Sequence, residues 1–240
     1  MLKFELKRII RGREIMGLLV SITILVMASF FNTIFVQPMY DGDRSLVLDF
    51  YQAVSQLMPL VFAPVIGNYF TKDYENKTLF FYRNQGISVR RYFFIRLGVF
   101  ILVGSMIGFT VCASYLLFRK IDVLMTFSVS FVIILAYIYT VLLISLLAIC
   151  SKRRMFTIIG AIAGTIVISL INIMPIPYLK GNWFLLDFNS HVADDMETII
   201  ETAKIVDMYK VLIPFIVWIS VVILMEIFII NFQVKRKEKK

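Results

Sequence analysis

The sequence predicts an all-α membrane protein with six transmembrane helices, on three observations. Of 240 residues, 60% are hydrophobic and only 17% charged, against about 45–50% and about 25% in soluble domains. Apolar runs long enough to cross a bilayer, which takes about 20 residues each, recur along the chain. Lysine and arginine collect in alternate connections between those runs, as membrane topology demands.

The first fourteen residues come before any apolar run. Leu2, Leu6, Ile9 and Ile10 share one helical face, Phe4 falls off it, and Lys3, Lys7 and Arg11 form a separate stripe with Arg8 and Arg13 nearby. An apolar face beside a basic one predicts a helix lying in the membrane plane; the other reading is a plain basic flank that anchors topology. The segment is too charged for the apolar core of a signal peptide, so no cleavable leader is expected.

The predicted spans are Ile15–Val36, Gln56–Phe70, Phe93–Phe118, Phe127–Cys150, Met155–Pro175 and Val211–Phe232. The second is short and is expected to start near Leu48 and continue past Phe70; Pro59 and Pro64 should kink it, and Pro214 the last span. Only "SKRR" separates the fourth and fifth, which predicts a tight helical hairpin.

If the six spans alternate, one side receives Lys3, Lys7, Arg8, Arg11 and Arg13, then Lys72, Lys77, Arg83, Arg90, Arg91 and Arg96, then Lys152, Arg153 and Arg154, and the basic tail from Lys235. The other side holds only Arg44, Arg119, Lys120, Lys180, Lys204 and Lys210, with most of the acids. Both termini are therefore expected in the cytoplasm of a multi-pass cell-membrane protein. The net charge of +9 belongs to that face and calls for no nucleic-acid partner. One membrane domain, residues 1–240, is expected, with no soluble domain attached.

Known catalytic and nucleotide-binding signatures are missing. There is no phosphate-binding loop of the G-x-x-x-x-G-K-[ST] type, no H-E-x-x-H and no G-x-S-x-G. His191 stands alone, and Cys112 and Cys150 read as packed membrane thiols, so no metal or cofactor site is expected in this chain. The expectation is a chain that is not an enzyme.

Within the spans, Glu226 is the outstanding charge. It reads either as a carboxylate paired with a cytosolic base or a neighbouring helix, or as a transport group. Asn32 and Asn172 are suited to bonding across helices and, with Pro64 and Asn68, are the candidates for a translocation path. Gly104 and Gly108, and again Gly160 and Gly164, have the spacing that lets helices approach closely.

The connection "TKDYENKTLFFYRNQGISVRR", Thr71 to Arg91, is longer than a link between spans requires. "DYENKTLFFY" predicts a short cytosolic helix, "NQG" a turn, and Ser88 an N-cap for the helix that leads into the third span. Aromatics with both signs of charge suit docking to a partner protein.

At these residues the chain resembles permease subunits of ATP-binding-cassette (ABC) exporters of the second permease type. Those carry a basic in-plane N-terminal helix, six spans, and the loose pattern acid-x-acid-x-Gly-Thr, helix, small turn, Ser-Arg, then a base entering the third span. Asp73, Glu75, Thr78, Ser88, Arg90 or Arg91, and Arg96 fit that order; Lys77 stands where glycine is usual and Gly86 where proline is common. The resemblance implies a coupling helix within Asp73–Arg91, with Asp73, Glu75, Lys77, Thr78, Phe80, Phe81, Arg83, Arg90 and Arg91 as the ATPase-coupling residues. It implies a separate ABC ATPase carrying ATP and magnesium, a second permease (identical or sibling), and alternating access of the pair. Residues 176–210 would form an external re-entrant segment. The overall likeness is to exporters of amphipathic toxin or antimicrobial peptides such as phenol-soluble modulins. The isoleucine- and lysine-rich composition fits a low-GC Gram-positive bacterium.

Overall fold

The structure, a computed structural model, describes residues 2–31, 43–76, 78, 82, 84–173 and 208–238. Among these residues it has seven helices, α1 (Leu2–Arg11), α2 (Arg13–Phe31), α3 (Asp43–Glu75), α4 (Val89–Phe118), α5 (Val123–Ser151), α6 (Arg154–Ile173) and α7 (Met208–Glu238), besides the helical residues Thr78, Tyr82 and Asn84. Among the described residues there is no strand. Five helices, α2, α3, α4, α5 and α7, are long and apolar enough to cross a membrane. The expected fifth crossing falls on α6, whose Arg154–Val167 part is apolar. Residues 176–210 lie almost wholly outside the described residues, so the re-entrant expectation has no structural counterpart here.

Helix α5 is the centre of the bundle, touching α3, α4, α6 and α7. Its buried side chains, from Val129 to Ile149, cover most of its circumference, as a helix apolar all round requires. The other spanning helices bury one side only. Their outer sides expose Met16, Val20, Met106, Leu224, Phe228 and many like them, far more apolar surface than water tolerates and what hydrocarbon requires.

Helix ends follow local sequence signals. Ser88 caps α4, its hydroxyl accepting from the Arg91 N–H at 3.2 Å. Asp122 caps α5, accepting from Leu124 N at 3.0 Å. Lys152, at φ 56°, turns the chain between α5 and α6, giving the tight hairpin expected of "SKRR". The helix α3 continues through Pro59 and Pro64. In the turn after Asn84, Gly86 sits at φ 77°, a conformation only glycine adopts without strain. Gly86→Ala should therefore lower thermal stability by about 1 kcal/mol, readable as a reduced unfolding temperature in detergent; no change would mean the turn relaxes freely.

Of the small-residue pairs, only Gly104 meets a close neighbour, the ring of Tyr137 on α5. Among the described residues, nothing lies within 4 Å of a side chain added at Gly108 or Gly164. The close approach is thus helix backbone against an aromatic side chain.

The ends of the elements gather at one end of the bundle. Glu75, closing α3, accepts from the Arg154 N–H that opens α6 at 2.7 Å, and Lys72 pairs with Glu14 at 3.6 Å. The Gln233 amide of α7 donates to the Ile149 carbonyl of α5 at 3.0 Å. Arg8 of α1, Lys72 of α3, Arg96 of α4 and Arg154 of α6 therefore share one end.

Candidate functional site

At that end four charged side chains close on one another. Asp73, in the last turn of α3, is 3% exposed. Arg96, two turns into α4, is equally buried and donates to the Asp73 carboxylate and to the Tyr69 carbonyl. The Arg8 guanidinium of α1 donates to Asp73 Oδ1 at 3.2 Å and to the Tyr92 hydroxyl at 3.2 Å. The Tyr92 hydroxyl in turn donates to Asp73 Oδ2 at 2.5 Å. Glu5, fully buried, lies 3.5 Å from Arg8 and 3.7 Å from the Arg96 Nε.

Two acids and two bases balance in charge, which is the condition for keeping Glu5, Asp73 and Arg96 out of water, with Arg8 half-buried at the edge. Aromatic rings supply the walls. The Arg96 guanidinium lies 4.2 Å from the Tyr69 ring centroid and 5.4 Å from that of Tyr92, distances at which a cation is attracted to a ring face. Burial opposes the charge on Arg8, but Asp73, and Glu5 behind it, more than offset it; the guanidinium is held above its ordinary pKa.

The cluster also holds the connection between α3 and α4. Thr78, a helical residue, donates to Asp73 Oδ1 at 3.1 Å. Tyr82, also helical, stacks on Tyr92 with ring centroids 4.5 Å apart and planes 27° apart. One carboxylate thus receives bonds from three places far apart in sequence: α1, the α3–α4 connection and α4.

Several sequence-predicted residues are placed differently from the expectation. Asp73 and Glu75 were expected on a docking face. Asp73 is interior, and Glu75, though exposed, is engaged by the Arg154 N–H. Thr78, Arg90 and Arg91 are exposed. Lys77, Phe80, Phe81 and Arg83 lie outside the described residues. On α1 the expected apolar stripe is split. Ile9 points inward with Glu5, while Leu2 and Ile10 remain exposed, because the neutral cluster inside accepts a carboxylate there. Glu5, Tyr69 and Tyr92 had no signal in a sequence read element by element.

Of the four path candidates, two are described in full, both on α3. Pro64 is exposed and Asn68 half-buried, one turn apart on α3. Asn32 and the Asn172 side chain lie outside the described residues. A small, mostly apolar cavity lies elsewhere, among Ile22, Leu25, Phe62, Gly104, Cys112 and Tyr137. Cys112 is buried and Cys150 exposed, both free thiols. No group of three metal-ligating side chains occurs among the described residues.

Glu226 is fully buried on α7. Its Oε1 accepts from the Ser145 hydroxyl of α5 at 2.6 Å, while Oε2 has no hydrogen-bond partner among the described residues. Of the two readings of this residue, the bond to a neighbouring helix is present.

A family model described as the peptide export permease protein YydJ family matches residues 2–240. The chain belongs to the YydJ family of peptide export permeases. The match spans α1, all five spanning helices and the basic end, so the ionic cluster belongs to a permease. Neither the curated proteins nor the solved structures include a match to it. A membrane-embedded peptide export permease accounts for the apolar outer faces of the spanning helices.

Proposed function

We propose that this permease is the membrane half of an ATP-driven ABC exporter that moves amphipathic peptides out of the cell. The observation that carries this reading is the Asp73 cluster. It joins α1, α3 and α4 to Thr78 and Tyr82, so a push on the connection reaches three helices at once. The ATPase is a separate subunit, which binds ATP and magnesium. It presses on the exposed residues of the connection, with Thr78, Arg90 and Arg91 at the surface. Asp73 and Glu75 act one layer behind, fastening the connection to α4 and to α6. Two permeases, identical or sibling, rock between inward- and outward-open forms. Both termini and the basic end lie in the cytoplasm, as the positive-inside bias supports.

The peptide assignment follows the family. An amphipathic peptide needs an apolar route with little fixed charge, and the apolar faces of the spanning helices, as at Met106, Leu224 and Phe228, support that reading. A lipid or a drug would meet the same surface.

The test is reconstitution of the permease with its ATPase in vesicles, followed by ATP-dependent peptide movement. In Thr78→Val with Tyr82→Ala, one hydrogen bond and one ring stack are lost, together about 2 kcal/mol. That corresponds to a roughly thirtyfold drop in the attached form of the connection. ATP hydrolysis should continue while peptide movement falls. Unchanged transport would remove the cluster from the coupling route.

Glu226 favours a second reading, a carrier driven by protons, because one of its oxygens has no hydrogen-bond partner among the described residues. Glu226→Gln keeps the shape and the Ser145 contact. In the exporter reading the variant transports at close to the wild-type rate, with ATP required. Abolished transport in a well-folded Glu226→Gln protein would favour the carrier.

A further inference from the structure

Helix α1 has two occupied sides of different kinds. Its inner side carries Glu5 and Ile9, both fully buried, and Arg8, bonded to Asp73. Its outer side carries Lys3, Lys7 and Arg11, exposed and spaced i, i+4, i+8, hence in a single row. Leu2 and Ile10, 61% and 51% exposed, lie in a parallel row beside them, with the half-buried Leu6 between them packing against the core. Phe4 lies on the opposite flank of the cations. The one acid of α1, Glu5, is inside, so the outer face has three cations and no anion. None of the three cations forms an ion pair with another described residue.

The position of α1 says what lies against that face. Helix α2, a candidate span, begins at Arg13, one residue after the bend at Gly12. The preceding helix therefore sits at the membrane surface that α2 enters. There the available anions are lipid phosphates, with hydrocarbon immediately below. A cation row bordered by an apolar row fits this boundary, the cations level with the phosphates and the apolar side chains beneath.

We propose that the outer face of α1 is a binding site for anionic phospholipid. Lys3, Lys7 and Arg11 hold the headgroups, and Leu2 and Ile10 pack among the acyl chains. The lipid fixes α1 from outside while Arg8 and Glu5 hold it to the cluster from inside. This inference is independent of the substrate and of the energy source.

The experiment uses the full chain purified in detergent, titrated with phosphatidylglycerol or phosphatidylcholine and read by native mass spectrometry. At about fivefold per cation, three cations give phosphatidylglycerol roughly a hundredfold advantage, reduced by salt. Lys3→Gln with Lys7→Gln and Arg11→Gln should remove the preference. Lys120→Gln with Arg153→Gln and Arg154→Gln, an equal loss of charge at other exposed cations, should leave it. All six positions are on the surface or at a helix end, so a circular dichroism spectrum suffices to confirm folding. Equal binding of the two lipids by the wild type would overturn the proposal. So would an equal loss in the second triple variant, which would mark a net-charge effect. Displacement of phosphatidylglycerol by inorganic phosphate would make a free anion the ligand and would also overturn it.

Discussion

Asp73→Asn should be the most damaging single change in the permease, lowering stability by about 3–5 kcal/mol, the usual cost of unpairing a buried charge. The substitution keeps the shape of the side chain and removes its charge. Arg8 and Arg96 would then share Glu5 alone, at 3.5 and 3.7 Å. Thr78 and Tyr92 donate to different oxygens of Asp73, so in the amide only one of the two hydroxyls would keep an acceptor, and a neutral one, while the other would face an N–H donor. The unfolding temperature in detergent reads the loss. Combining Asp73→Asn with Arg96→Gln should be less harmful than the sum of the two, by about 1–3 kcal/mol, since each single change strands the partner of the other. Strict additivity would mean that the two residues do not act as a pair.

The second large effect is expected at the α4–α5 contact. In Gly104→Ala the new methyl group would collide with the Tyr137 ring and hydroxyl. Tyr137 has little room to move. Its ring packs 5.3 Å from that of Phe62, and its hydroxyl donates to the Phe100 carbonyl at 3.3 Å. Overpacking of this kind costs about 1–3 kcal/mol. Tyr137→Phe alone should cost about 1 kcal/mol for the lost hydrogen bond. In its presence Gly104→Ala should be milder, because the hydroxyl is the nearest obstacle. A Gly104→Ala protein as stable as the wild type would show that the helices separate at no cost.

Much of the architecture was legible because a bilayer imposes local rules. Length and apolarity mark a span, and α2 to α5 and α7 fall where the hydropathy placed them. Turn chemistry is local too: Ser88 caps α4 and "NQG" turns at Gly86. The connection's helical character, seen at Thr78, Tyr82 and Asn84, followed from its helix formers. The site was less legible. Asp73 and Glu75 look like surface acids in a polar loop, and nothing within ten residues predicts otherwise. The contacts that draw Asp73 inside come from 65 residues before it and 23 after it. On α1, periodicity grouped Ile9 with Leu2, Leu6 and Ile10, but a helix touching both protein and lipid has two apolar destinations, which hydropathy does not separate.

The sequence alone determined that this chain spans a membrane, where it is basic, and which of its segments must leave the bilayer. These are sums of transfer energies and charge placements along the chain, and neither depends on partners distant in sequence. Tertiary structure alone decided that Glu5, Arg8, Asp73 and Arg96 form one neutral cluster, with Thr78 and Tyr82 attached. These four charges are buried, Arg8 in part, because each meets a counter-charge, and that pairing exists only once α1, α3 and α4 have met.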